Sequence, residues 1–284
     1  MSSQDRSTAV WFITGCSTGL GRALAQRVLE HGHRAVVTAR RADQISDIVA
    51  DYAKTALAIA LDVNDHVQVD AAIAQAAEKF GGIDVLVNNA GYGYLAAVEE
   101  GDEQEIRDMF ETNFFSLAAL IRKVLPGMRT HGSGHIINIS SVGGMVGAAS
   151  SGFYNATKFA VEGLTEALAK EVEPLGIRVT AIEPGPFRTD WAGRSLKQAE
   201  HPINAYADTA AARRAQITGY SGRQAGDPVR AADAIIKVVE SDEPPHNLIL
   251  GKNGLDRVRA KLAALMQSID DWEEVTLSAD YPDA

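Results

Sequence analysis

The chain predicts a doubly wound α/β domain, a parallel sheet of about seven strands with helices on both faces. Three observations carry that expectation. Short runs rich in Val, Ile and Ala alternate with longer segments in which Ala, Leu, Ile and Val recur every three or four residues. The links between them are mostly short, as parallel strands joined by crossover helices require. The first apolar run, Val10-Trp11-Phe12-Ile13, breaks at once into a glycine turn, Thr14-Gly15-Cys16-Ser17-Thr18-Gly19-Leu20-Gly21.

The elements follow in order. Strand Val10–Thr14 leads into a helix over Gly19–His31, whose Leu20, Leu24, Val28 and Leu29 form one stripe. Strand Ala35–Ala39 precedes a helix over Arg41–Tyr52, and strand Ala56–Leu61 a helix over Asn64–Phe80. Strand Val85–Asn88 is followed by a long helix, Asp102–Thr130, and strand His135–Ser140 by a helix over Tyr154–Glu173. Strand Arg178–Glu183, helix Pro228–Ser241 and strand Asn247–Leu250 complete the pattern. Residues 186–227 are too long for a simple connection and read as a substrate lid or binding loop. Residues 254–284 read as a further helix, Leu255–Gln267, with an acidic solvated tail from Asp270. Residues 1–8 read as a flexible N-terminus and 9–284 as a single domain, since no repeat or interdomain linker interrupts it.

Composition narrows the function. The 284 residues are 46% hydrophobic and can fill an extensive core. A net charge of -10 argues against nucleic acid as a partner. The one cysteine excludes an internal disulfide framework and fits a reducing compartment. Neither a signal sequence nor an apolar run of about 18 residues is present, so no membrane association and a cytoplasmic location are expected. The seven histidines show no ligand spacing beyond His31-x-His33 at a helix end, and no metal is expected.

The glycine turn points to a ligand. Backbone without Cβ atoms approaches an anion closely, and the free N–H groups of the following helix then face it. The spacing is G-x-x-x-G-x-G, so a dinucleotide is expected, although a tight turn alone uses similar glycines. Cys16 needs only a small side chain there; a redox role near a helix N-terminus is the alternative. Tyr154 and Lys158 lie four apart at the start of a helix and share a face. A neighbouring ammonium favours the phenolate, which suits a Tyr that exchanges a proton with an alcohol oxygen. Ser141 ends a strand thirteen residues earlier, on the rim where open parallel sheets bind ligands. Asn88-Asn89-Ala90-Gly91 ends another strand on that rim, and Asn113 sits in a long helix without a propensity reason.

Together these residues resemble the single-domain branch of the short-chain dehydrogenase/reductases over about Ala9–Gly251. Thr14-Gly15-x-x-x-Gly19-x-Gly21, Asn88-Asn89-Ala90-Gly91, Asn113, Ser141, Tyr154-x-x-x-Lys158 and Pro184-Gly185 stand in that family's order. The resemblance implies a Rossmann-like fold and a nicotinamide-dependent oxidoreductase acting on a small carbonyl or alcohol. It implies Tyr154 as general acid/base and Ser141 as the group orienting the substrate oxygen. Lys158 would lower the Tyr154 pKa and hold the nicotinamide ribose, and Asn113 would anchor a water that relays protons to Lys158. The cofactor would lie on Gly15, Ser17, Thr18, Gly19, Leu20 and Gly21, with Asn89, Ala90 and Gly91 beneath it. Asp62 and Val63 would contact the adenine, and Pro184, Gly185, Phe187 and Thr189 the nicotinamide end. Read from the residues alone, Asp62 is a cap for the next helix.

The second strand ends Thr38-Ala39-Arg40-Arg41 with no acid before Asp43. A carboxylate there bonds the ribose 2′-OH of NAD, whereas guanidinium groups grip a 2′-phosphate. Arg40 and Arg41, with Ser17, therefore favour NADP over NAD, unless the arginines simply open a solvated helix. Tyr92, Tyr94, Leu95, Gly143, Gly144, Met145, Val146, Phe187 and Trp191 predict a mostly apolar pocket, suited to a ketone or secondary alcohol on a hydrophobic skeleton. The resemblance also implies a homodimer or homotetramer paired through the long fourth and fifth helices. A catalytically silent dinucleotide sensor on the same scaffold is the alternative reading; the full Asn/Ser/Tyr/Lys set argues against it.

Overall fold

The computed structural model describes residues 8–193 and 195–281; of the expected flexible stretch 1–8, residues 1–7 lie outside them. All seven expected strands form one parallel sheet: β1 (Val10–Ile13), β2 (Arg34–Ala39), β3 (Ala56–Ala60), β4 (Val85–Asn88), β6 (Gly134–Ile139), β7 (Ile177–Pro184) and β9 (Asn247–Leu250). Their order is β3-β2-β1-β4-β6-β7-β9, so the chain reverses its direction of travel between β1 and β4. That reversal opens a crevice above the strand carboxyl ends, where ligands bind in such sheets.

Alternating side chains build two cores. On one face Trp11, Ile13, Val37, Val87 and Ile182 pack against Leu24 and Val28 of α1 (Gly19–Glu30) and Ile235 and Val239 of α8 (Pro228–Glu240). On the other, Phe12, Val36, Leu86 and Ile136 meet Val69 and Ala72 of α3 (His66–Phe80), Leu120 and Val124 of α5 (Ser116–His131), and Val161 and Leu168 of α6 (Gly152–Val172). A strand buried on both faces needs a continuous apolar run, which Val10–Ile13 supplies.

Four expectations are corrected. Arg41–Tyr52 is not one helix: a 3₁₀ turn, Ala42–Gln44, precedes a four-residue α2, Ser46–Val49. Ile45 is fully buried with φ −127° between them, so burying that side chain overrides helix continuity. The cap of α3 is Asp65, whose carboxylate accepts from the backbone N–H groups of Val67 and Gln68; Asp62 instead accepts from Asn64 N. The long helix divides into α4 (Glu103–Phe110) and α5, with a π-helical turn over Glu111–Phe115 between them. The chain beyond Gln267 is exposed, as expected, but helical: α9 spans Lys252–Asp271 and α10 Glu273–Leu277.

The 186–227 segment is structured. It contains β8 (Leu196–Gln198), which pairs in parallel with an unexpected short strand, β5 (Gly93–Leu95), and α7 (Ala212–Gly219). Arg214 of α7 forms a buried ion pair with Glu100, whose carboxylate also accepts from the N–H groups of Ala97 (2.9 Å) and Ile203 (2.8 Å). The guanidinium holds the Glu100 carboxyl down to about 2. A buried carboxylate with that many donors is a clasp between the 186–227 segment and the body.

Candidate active site

A cavity of about 1450 Å³ runs along the carboxyl rim of the sheet, from β2 and β3 to the start of α9. At its centre lies the glycine turn. Gly15 and Gly19 have φ of +71° and +61°, which L side chains rarely adopt. A Cβ on Gly15 would stand 2.9 Å from Ala90 Cα, and one on Gly21 would meet Asn89 Nδ2 and lie 2.6 Å from Gly15 O. Thr18, the residue before α1, caps no N–H with its side chain, so the first donors of that helix are left for a ligand.

The Asn-Ala-Gly segment braces this turn from below. Thr14 Oγ1 accepts from Asn89 N (2.9 Å) and Ala90 N (3.0 Å). Asn89 Nδ2 donates to Thr14 O (2.8 Å) and Gly15 O (3.1 Å). Asn89 therefore shapes the cradle with its side chain. All the cofactor residues inferred from sequence line the cavity except Arg41. Arg41 is exposed, lies off the cavity and donates Nε to Asp43 Oδ1 at 3.0 Å. Arg40 lines the cavity and has no partner among the described residues. Cys16 is buried, donates to Ile13 O and has its thiol pushed up to about 12 by burial, which removes the redox-sensor reading.

The chemistry-bearing groups converge over β4, β6 and α6. Ser141 follows β6, and its Oγ accepts from Gly143 N at 2.9 Å. The Tyr154 ring packs against Trp191, with centroids 5.4 Å apart, and is partly buried. Burial pushes its phenol up to about 12, while a hydrogen bond with Ser141 pulls the other way. Lys158 Nζ donates to Ile139 O (2.8 Å) and lies 5.9 Å from the centre of the Tyr154 ring. Burial lowers its ammonium to about 8, opposed by Glu162. The expectation that Lys158 depresses the Tyr154 pKa is not met here. The amine is turned to a backbone carbonyl, and desolvation of the phenol dominates.

Asn113 does not line the cavity; it sits in the π turn, which rotates it inward. Its Oδ1 accepts from Tyr92 N (3.0 Å), and its Nδ2 donates to Tyr92 O (2.9 Å) and Thr157 Oγ1 (3.2 Å). Gly91 separates it from the amine: a Cβ there would be 3.0 Å from Asn113 Oδ1 and 3.9 Å from Lys158 Nζ.

Two groups were missed from sequence. Behind Lys158, Asn247 Nδ2 donates to Glu183 Oε1 (2.6 Å) and Glu162 Oε2 (3.2 Å), which gathers two carboxyl groups beneath the site. Burial lifts the Glu183 carboxyl to about 8, and that of Glu162 is also raised. Glu162 was legible as the residue four after Lys158; Glu183 was the one acid in an apolar strand. The second group is Arg213, Arg223 and Arg257, which line the outer cavity wall. Burial and the nearby Arg213 lower the Arg257 guanidinium, so this outer wall adds a cationic, polar patch to the pocket that the sequence predicts to be mostly apolar.

Comparisons with known proteins agree with this geometry. A model of the short chain dehydrogenase family matches residues 9–200. An oxidoreductase (BOA17) from Botryotinia fuckeliana is 38% identical over 273 residues, covering 96% of this chain and 99% of that protein. A 3-ketodihydrosphingosine reductase from Bacteroides thetaiotaomicron is 37% identical over 240 residues, covering 84% and 86%. The crystal structure of a short-chain dehydrogenase from Streptomyces avermitilis superposes with a TM-score of 0.91 at 40% identity, covering 97% of this chain and all of that one. Neighbours that share the fold at 23% and 27% identity were solved with NAD and NADP, respectively.

Proposed function

The chain belongs to the short-chain dehydrogenase family, and from that premise we propose that it moves a hydride between NADP(H) and a ketone or secondary alcohol, with Tyr154 as general acid/base. The observation that carries this reading is the meeting of the Tyr154 phenol, Ser141 hydroxyl and Lys158 amine in one wall of the dinucleotide-sized cavity. The nicotinamide, when bound, supplies or accepts the hydride; the protein supplies position and protons.

In the reducing direction the buried phenol, protonated at neutral pH, donates to the oxygen that gains negative charge. The Ser141 hydroxyl, held by Gly143 N and beside the phenol, hydrogen-bonds the same oxygen. The Lys158 amine, with its pKa near 8, exchanges protons within the neutral range and restores that of Tyr154. Asn113 pins the Tyr92 backbone and Thr157 on the far side of Gly91 from Lys158, where the absence of a Cβ lets the two groups pack close together. The glycine cradle and the uncapped start of α1 receive the pyrophosphate. Asp62 and Val63 border the adenine end, and Thr189, beside Gly19, the nicotinamide end.

The preference for NADP rests on Arg40, the guanidinium left unpaired on the cavity wall at the end of β2. Ser17 adds a hydroxyl to the same stretch. The substrate is apolar near the reacting carbon, where Tyr154 and Trp191 pack, and polar at its far end, where Arg213 and Arg257 stand. Assembly through the helices spanning 102–130 and 154–173 is consistent with the exposed Phe115 and Phe159 on them. Among the described residues, no helix is long and apolar enough to cross a membrane. A panel of ketones with NADPH and alcohols with NADP⁺, followed by the absorbance of the reduced nicotinamide, tests the reading. Turnover of at least one ketone is expected; binding of the cofactor without turnover of any member contradicts it.

A further inference from the structure

α9 begins on the body of the molecule and leaves it. Leu255 is partly buried and Val258 is 2% exposed, but every residue from Arg259 to Tyr281 is exposed. The apolar spacing does not stop where the body does. Leu255, Val258, Leu262, Leu265, Ile269 and Trp272 alternate at three and four residues, the spacing of a seam that meets another helix. The outer part of that seam, with Met266 alongside, is half bare: Leu262 49%, Leu265 45%, Ile269 50%, Trp272 62%. Apolar surface on this scale, on the order of several hundred Å², marks an interaction site. The part of α9 beyond Val258 is thirteen residues long, and a helix shorter than about 15 residues is marginal in water without packing.

Charge identifies the occupant. Arg257, Arg259 and Lys261 lie before the middle of the seam, and Asp270, Asp271, Glu273 and Glu274 after it. This order opposes the helix dipole, which favours acids at the start and bases at the end. α9 has no acid in its first turn and no base in its last. The pattern is thus no help to the isolated helix, but it is self-complementary when two copies run antiparallel. We propose that the outer half of α9 docks against the same segment of a second copy of this chain. The helices cross near Leu265 and Ile269, and each basic half lies along the other's acidic half. A parallel pairing would set like charges together. A lipid surface fits less well: helices that lie on membranes carry Lys and Arg along the whole polar face, and the acidic half here would be repelled by anionic headgroups.

The interface is separate from the 102–130 and 154–173 helices, so it adds a contact to any pairing made there. The full-length protein is measured by light scattering with Leu265→Glu/Ile269→Glu, two exposed positions whose change leaves the core intact. The apparent mass is expected to fall by half. Arg259→Glu/Lys261→Glu weakens association about tenfold or more, and adding Asp270→Lys/Glu273→Lys restores it. Met266→Cys, near the crossing, gives a disulfide-linked pair on mild oxidation, since the natural Cys16 is buried. A mass unchanged by Leu265→Glu/Ile269→Glu, a charge reversal that is not rescued, or no cross-link at Met266→Cys overturns the proposal. So does sedimentation of the wild-type protein with phosphatidylcholine vesicles that Leu265→Glu/Ile269→Glu abolishes.

Discussion

The two ends of the cavity were built under different constraints. At the dinucleotide end the backbone itself is the binding surface, and Gly15, Gly19 and Gly21 are compelled by φ or by close approach to Asn89 and Ala90. At the other end, where the proposed function puts the substrate, the wall is a long excursion tied down by the buried Arg214–Glu100 ion pair and a three-residue strand pair. A wall made of backbone tolerates little change. A wall made of side chains on a clasped loop can be redrawn, and function is commonly varied on such loops.

Substitutions sharpen that contrast. Tyr154→Phe strikes where the two ends meet and leaves both walls standing. Turnover should fall several hundredfold or more while NADPH affinity stays, measured by steady-state rates beside fluorescence titration. Gly21→Ala breaks the rigid end: its Cβ collides with Asn89 and Gly15 O, and NADPH affinity should drop about a hundredfold by the same titration. Arg214→Gln breaks the flexible end by leaving Glu100 buried without its cation, a change that costs roughly 3–5 kcal/mol where the partner cannot reach water. The substrate KM should rise about tenfold or more and the 186–227 segment become open to limited proteolysis, with NADPH affinity retained. Equal damage to cofactor binding would mean the two ends are not independent.

Smaller effects test the details. Arg40→Ala should cut the preference for NADPH over NADH about tenfold, as paired titrations would reveal; an unaltered ratio would place the discriminating contact elsewhere. Glu183 makes a pH prediction. Below pH 4.5 both folded and unfolded chains hold its proton, and between 4.5 and about 8 only the folded chain does. This carboxyl therefore contributes stability that declines as pH rises through that window. The melting temperature of the wild type should fall relative to that of Glu183→Gln as pH rises from 4.5 toward 8, and a difference constant with pH would contradict the assignment.

The same contrast explains what could be read from the chain. Strands buried on both faces, such as Val10–Ile13, announce themselves by continuous apolar residues, and the glycine turn by spacing. Ser141, Tyr154 and Lys158, singled out in the sequence, come together on one cavity wall, whereas Asn113 lies off the cavity in the π turn. Ile45 broke an expected helix because its burial depends on the neighbouring strands, which local periodicity does not record. The pairing of Gly93–Leu95 with Leu196–Gln198 joins segments about a hundred residues apart and leaves no local signature. The order of residues puts Arg41 beside Arg40, and only the conformation of the turn shows that it faces Asp43 rather than the cavity. The acidic run after Asp270 hid a helix because its residues are exposed and pack on no core that would impress a clear apolar period on them.

The central claim is hydride transfer in the cavity over the sheet's rim. Its most direct test uses NADPH carrying deuterium on the transferred face of C4 of the nicotinamide, incubated with a ketone of apolar body and the purified protein. The product alcohol should carry one deuterium on its carbinol carbon in the wild type, and Tyr154→Phe should yield almost none in the same time. Tight binding of the labelled cofactor with no deuterium delivered to any ketone would contradict the account and leave a binding protein in place of an enzyme.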